Sequence, residues 1–388
     1  MAATVRPTQL SNLLATMIAA RLPLLITGAP GIGKSDIVAQ AADAAGARLL
    51  ISHPAVADPT DAKGLPWPQN HDTPIILPIA GSEYQVWSGG KLKGTFSFES
   101  EAKEFIARQP NGVTKATFLP FGELAEALEA KEPLVWFLDD LGQPSPAVQA
   151  SFMQLILGRR VNGHHLPDTV TFVAATNRRT DRAGVSGILE PVKSRFASIV
   201  ELEPNLDDWC QWAFAHAVPA MLVAFLRYKP DLLSAFTATA DLTNSPVPRT
   251  WASVAKLEAL KLPAEIEAAA MAGAVGEGAA VEYLAFRKMA AALVNLDAIL
   301  ADPVHAPLPP PTKPDQMYAT AVGLAARATD KNFHRVITYL ERLHAADHGE
   351  FAALAARDAT RRDDKLLRTE AYVKMCCGPL GKLITGQH

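Results

Sequence analysis

The sequence predicts an α/β fold in which a parallel-sheet core is followed by an all-helical lid domain. Three observations carry this expectation. The run Gly28-Ala29-Pro30-Gly31-Ile32-Gly33-Lys34-Ser35 matches the phosphate-binding P-loop pattern. The apolar run 134–138 ends in Asp139-Asp140. Near residue 205 β-branched alternation gives way to Ala- and Leu-rich segments of helical character.

Each element follows in order. Residues 9–20 read as an amphipathic helix, 22–27 as a buried parallel strand and 35–45 as the helix after the loop. The turn and the helix start offer backbone N–H groups without intrahelical partners, which suits phosphate oxygens. In that setting Lys34 reaches the β- and γ-phosphates of a nucleotide and Ser35 binds magnesium, so the predicted cofactors are ATP and Mg²⁺. Residues 47–53 suggest the next strand. Asp58-Pro59-Thr60-Asp61 and Gly64-Leu65-Pro66-Trp67 then favour a shaped loop over regular structure. Asp58 and Asp61 suit capping of that loop better than a metal site, because no further ligands converge on them.

Residues 84–98 mix aromatic side chains with Gly89, Gly90, Lys91 and Lys93. They read as a hairpin with a basic tip, which serves either sheet packing or contact with a polypeptide or nucleic acid. Phe118, Leu119 and Phe121 suggest either a further insertion loop or core packing. Strand ends in open α/β sheets are favoured ligand positions, so Asp139 is the expected magnesium-associated carboxylate and Asp140 the residue that positions or activates water. A helix over 146–157, a turn over 163–168 and a strand over 169–175 bring the chain to Asn177, which either contacts the γ-phosphate or caps a turn. His164 and His165 suit a solvated turn better than zinc.

In 189–196, Arg195 either projects towards a neighbouring nucleotide, if subunits form a ring, or makes a local carboxylate contact. Arg249 precedes a helix and either enters the nucleotide cleft or closes a helix-terminal salt bridge. Gly273, Gly276 and Gly278 interrupt the helical half, and 301–314 form a proline-rich connection. The expected divisions are 1–205 for the nucleotide-binding domain, 206–345 for the lid and 346–388 for a helical extension or tail.

The order of these elements resembles the AAA+ ATPases, specifically the MoxR-like branch. The likeness runs from the P-loop through Arg249 and carries little information beyond residue 340. It implies a nucleotide cradle over 28–35, including the backbone of Ala29, Pro30 and Ile32. It places Asn177 at the first sensor, Arg195 at the trans-acting arginine finger and Arg249 at the lid sensor. It also implies ATP hydrolysis in a homo-oligomer, commonly hexameric, and a von Willebrand factor A-domain partner. One departure stands out. AAA+ chains usually end the acidic strand in Asp-Glu, whereas this one has Asp139-Asp140, shortening the second side chain by one methylene. Water placement then shifts by roughly 1 Å, so hydrolysis is expected to be slow until a partner tightens the site.

Composition bounds the function classes. A net charge of −3 over 388 residues gives no global basic field, which argues against a nucleic-acid partner. Cys210, Cys376 and Cys377 are too few and wrongly spaced for a disulfide scaffold or zinc site. Neither a secretory leader nor a long charge-free segment is evident, so the expected location is cytoplasmic, with no membrane span.

Overall fold

The apolar, β-branched runs of the first half pair into one parallel sheet, because strands buried on both faces need no polar alternation. Its strands are β1 (Ala3–Val5), β2 (Leu24–Thr27), β3 (Arg48–Ser52), β4 (Leu134–Leu138), β5 (Val170–Thr176) and β6 (Ser198–Leu202). This computed structural model describes residues 3–69, 74–79, 83–88, 91–108, 115–181, 187–239 and 242–385. The spatial order is β1-β6-β2-β5-β4-β3, with every neighbouring pair parallel. Thr27 pairs with Thr176, and Leu138 pairs with Ala174 and Ser52. The chain therefore leaves β2, β5 and β4 at one edge, with β5 in the middle.

Alternation along each strand supplies two cores. Val135 and Phe137 face one side with α1 (Pro7–Ala20) and α2 (Lys34–Ala44). Leu134, Trp136 and Leu138 face the other with α3 (Pro146–Ile156). After β6 every described element is helical or 3₁₀, beginning with α4 (Leu206–Ala215) and α5 (Ala220–Tyr228), which Pro219 separates. Next come α6 (Pro248–Ala259), α7 (Ala264–Val275) and α8 (Glu277–Leu293). The last described helices include α9 (Pro314–Arg327), α10 (Phe333–Ala345) and α11 (Gly349–Arg362). A parallel sheet flanked by helices and followed by an all-helical region is the expected fold, consistent with AAA+ architecture.

The helical half holds two apolar clusters that meet on α9. Its Ala319 and Val322 pack with α5 and α8, and its Ala321, Leu324 and Ala325 pack with α10 and α11. The segment from 349 onward is helical, with Ala352, Ala355 and Ala356 in that shared core. Arg227 on α5 and Asp358 on α11 are buried together, with Nη2 donating to Oδ1 at 2.9 Å. Cys210 is also buried, and its Sγ accepts from Arg227 Nε at 3.4 Å.

Several local expectations need correction. Residues 59–69 are regular: a short helix, Pro59–Lys63, and a strand, Leu65–Gln69, antiparallel to Lys115–Leu119. Pro66 and Pro68 fit this two-stranded ladder because residues two apart direct their missing N–H groups to the same, unpaired side. Phe118 and Leu119 accordingly lie in a strand. Asp58 and Asp61 cap the short helix: Asp58 Oδ1 accepts from Thr60 N at 2.9 Å and Asp61 Oδ2 from Asp58 N at 2.7 Å.

Strands Glu83–Ser88 and Lys91–Phe96 form the expected hairpin, with Ile75–Ile79 as a third strand. Gly89 and Gly90 lie outside the described residues. The turn expected over 163–168 sits earlier, at Asn162 and Gly163, whose φ values of 47° and 87° suit a tight two-residue hairpin. His164–His165 is its second strand, and His164 Nε2 lies 3.0 Å from Phe118 O. Of the three lid glycines only Gly276, with φ of 81°, separates two helices; Gly273 and Gly278 lie within α7 and α8. Among the described residues no group of three or more His, Cys, Asp and Glu could hold a metal, and no helix is long and apolar enough to cross a membrane.

Candidate functional site

The loop after β2 turns sharply enough to require glycine at particular points. Gly31 has φ of 75°, and a Cβ there would lie 2.6 Å from Val247 Cγ2. Gly33, with φ of 97°, caps α2 from the left-handed region. A Cβ on Gly28 would meet Leu202 O at 2.7 Å. Ala29 and Ile32 are buried in the α1/α2 core, so they anchor the loop and leave their backbone to any ligand. Pro30 lies half-buried between them. Gly31→Ala is expected to cost about 1–2 kcal/mol through its left-handed backbone, before the clash with Val247 is counted. Thermal unfolding would register it, and an unchanged midpoint would contradict this geometry.

Lys34 opens α2 and is 6% exposed. Its Nζ donates to Gly28 O at 3.0 Å, Ala29 O at 2.9 Å and Asn177 Oδ1 at 2.8 Å. Burial pulls its pKa down to about 8, against the opposing pull of Asp140 and Asp139. Ser35 Oγ donates to Asp139 Oδ2 at 2.9 Å. Asn177 Nδ2 donates to Asp140 Oδ1 at 3.1 Å, so Lys34, Asn177 and Asp140 form one hydrogen-bonded chain. Burial, then the neighbouring Asp139 charge, raises the Asp140 carboxyl above its ordinary range.

The backbone beneath these acids is fixed. Asp139 N donates to Ser52 O at 2.9 Å, and Trp136 Nε1 donates to Ser52 Oγ at 2.8 Å. Asp140 adopts φ of 57°, turning the chain out of the sheet immediately after Asp139. The parallel edge thus brings Lys34, Ser35, Asp139, Asp140 and Asn177 together.

Arg249 joins them from the lid. Its N–H donates to Gly31 O at 3.0 Å, and its charge helps lower both Lys34 and Asp140. Beside it opens a cleft of about 320 Å³ between the sheet domain and the lid, lined in part by Ile32, Ile37, Trp209, Trp212 and Arg249. Trp212 stacks on His216 with centroids 4.6 Å apart. The buried Trp209 Nε1 has no hydrogen-bond partner among the described residues. Sequence reasoning misses this aromatic wall, whose one signal is the Trp209-Cys210-Gln211-Trp212 spacing that opens the lid. It also misses His53, just beyond β3, whose charge lowers Asp140.

Arg195 stands apart. Its Nε donates to Met153 O at 3.1 Å and its Nη1 to Pro191 O. It sits where the strands begin, since Ala197 N donates to Pro23 O at 2.9 Å. Pro23 precedes Gly28 by the length of β2, about 16 Å at about 3.3 Å per residue. The local carboxylate contact is absent among the described residues.

No protein-family model matches the chain, and no curated protein matches it. Among solved structures it is similar to the Thermotoga maritima RuvB Holliday junction branch migration motor, at 14% identity and a TM-score of 0.36 over 82% of this chain and 80% of that one. Two substituted forms of that motor match similarly. One has 13% identity and a TM-score of 0.35 over 75% of each chain. The other has 14% identity and a TM-score of 0.32 over 94% of this chain and 82% of that one. Likenesses this distant carry no functional argument, which falls to the residues of the site.

Proposed function

We propose that this chain is a MoxR-like AAA+ ATPase. In this reading magnesium-dependent ATP hydrolysis in a homo-oligomeric ring, hexameric as in that family, drives remodelling or activation of a partner protein bearing a von Willebrand factor A domain. The observation that carries the ATPase reading is the convergence of Ser35–Asp139 with Lys34–Asn177–Asp140 at one sheet edge. The MoxR assignment and the partner class rest on the sequence resemblance.

The residues fit both cofactors. Ser35 Oγ and Asp139 Oδ2 are hard oxygen donors side by side, the donor set magnesium takes, with waters completing its shell. The orphan N–H groups at the start of α2 and the Lys34 ammonium suit a polyphosphate, and the Trp209/Trp212 cleft beside them suits a flat base. Magnesium held by Ser35 and Asp139 would neutralise charge on the phosphates. Lys34 exchanges the carbonyls of Gly28 and Ala29 for phosphate oxygens. Asn177 holds Asp140 in position, and Asp140 accepts the proton of the attacking water. Arg249, hydrogen-bonded through its backbone to Gly31, links lid position to the occupant of the loop.

Phosphate release with ATP and magnesium tests the reading directly: turnover is expected, and its absence in assembled protein would overturn the ATPase assignment. Lys34→Ala is expected to weaken ATP binding about 100-fold, through loss of charge-assisted hydrogen bonds worth about 3 kcal/mol. The wild type carries a pH signature. Because the free chain holds Lys34 near pKa 8, phosphate binding must restore its proton above that pH. Affinity is then expected to fall by up to tenfold per pH unit above about 8. Stability without nucleotide moves the opposite way. The cost of burying the ammonium is complete below pH 8 and fades as pH rises towards the ordinary 10.5. Calorimetric titration and thermal unfolding between pH 7 and 10 read the two trends.

A further inference from the structure

A second cleft, of about 470 Å³, lies between the end of α3 and the hairpin of Arg160–Val161 and His164–His165. Gln154, Gly158, Arg160, His165 and Arg195 are among its lining residues, and among the described residues no acidic side chain lines it. The two neighbouring arginines of the hairpin differ sharply. Arg159 is committed to structure, with Nη1 donating to Val170 O at 3.0 Å and Nη2 to Pro167 O at 2.6 Å. Arg160 is exposed and has no ion pair or side-chain hydrogen bond among the described residues. Arg195 spends two nitrogens on carbonyls and meets no carboxylate among the described residues. Guanidinium groups that line a cleft without a carboxylate partner among the described residues create a focused positive potential, and the free planar fork of Arg160 matches phosphate oxygens.

The cleft cannot serve the chain's own nucleotide. Arg160 lies before β5, whose seven residues put about 23 Å of strand between it and the edge that carries Asn177. The hairpin is also held where it is: Val161 is buried, and Asn162 Nδ2 donates to Lys63 O at 2.8 Å. The charged groups acting on the chain's own Lys34 are the acids Asp140, Asp139 and Asp181 and the single cation Arg249. Charge developing on a transferred phosphoryl group is stabilised by further cations aimed at it.

We propose that Arg160 is a second trans-acting cation, which reaches with Arg195 towards the γ-phosphate of ATP held by a second copy of this chain. The proposal rests on the ring-ATPase reading and extends it to a residue with no role in the chain's own site. Arg160→Ala is expected to lower turnover about 10- to 100-fold and to leave the chain's own ATP affinity within about twofold. Arg160→Lys, which keeps the charge and loses the fork, is expected to fall between.

Mixing gives the decisive measurement. Arg160→Ala has an intact cradle, and Lys34→Ala retains Arg160, so mixed assemblies are expected to show at least about twofold more turnover than the sum of the two variants alone, and more the larger the loss in Arg160→Ala. Wild-type turnover with an unchanged Arg160→Ala rate, or with no recovery on mixing, overturns the proposal alone. So does loss of acidic-peptide or oligonucleotide binding at an unchanged ATPase rate, which would give the cleft a different anion. A wild type without turnover removes the ring-ATPase reading together with this one.

Discussion

Arg195→Ala is expected to lower ATP turnover about 10³-fold or more, the scale on which a trans-acting arginine stabilises phosphoryl transfer, while ATP binding to the isolated chain stays within about twofold. The split follows from where the residue sits. Arg195 emerges at the edge where β2 and β6 begin, and the cradle lies at the edge where they end. A side chain placed so far from its own Lys34 adds nothing to ground-state binding in one chain. If it contributes to the reaction, it does so in another subunit's site. Turnover per chain should therefore rise with protein concentration as assemblies form. Native mass measurement alongside phosphate release separates a failure to assemble from a failure to react. An Arg195→Ala protein that assembles and hydrolyses normally would remove the residue from the site. One whose ATP affinity falls as far as its rate would assign it a role within its own chain. Arg195→Lys should recover little, because Met153 O and Pro191 O hold the guanidinium through its fork geometry.

The parts of this site that are legible in the sequence are those encoded by short spacing. Gly31 and Gly33 are needed for positive φ within one turn, and Lys34 and Ser35 follow them directly on α2. The meeting of Asp139 with Ser35 is also legible, since a run of five buried apolar residues belongs inside a parallel sheet and parallel strands end together. What stays hidden depends on contacts across the chain. Trp209 and Trp212 form a wall because α4 and the start of α2 line the same cleft, and no local pattern announces that. His53 acts on Asp140 through the β3–β4 register. Prolines obscure the strand at Leu65–Gln69, although one edge of a two-stranded ladder tolerates them. The Asn162-Gly163 turn lies one step before its expected place, and that dipeptide is itself a strong hairpin signal.

Asp140→Asn is expected to slow hydrolysis about 10²- to 10³-fold without weakening ATP binding, the pattern for loss of a general base rather than of a ligand. The amide preserves the acceptor that Asn177 Nδ2 uses at 3.1 Å, so the positioning bond persists and only basicity is lost. Charge makes the prediction sharper. Asp140 opposes the burial of the Lys34 ammonium, and removing its charge drives the Lys34 pKa further down from about 8. The pH above which ATP affinity declines should then move lower in the variant. Below that pH, with one fewer carboxylate near the phosphates, ATP should bind at least as tightly as to the wild type. In the wild type the raised Asp140 carboxyl must lose its proton to act as base, so turnover should fall as pH drops through that elevated value. The acid limb should vanish in Asp140→Asn. Unchanged turnover in the variant would end the proposed base role and leave Asp140 as a charge partner of Lys34. That outcome, combined with nucleotide-dependent assembly and a slow wild-type rate, would favour a nucleotide-controlled scaffold over a remodelling motor. Asp140→Glu restores the missing methylene, and faster turnover in it would trace slow hydrolysis to side-chain reach.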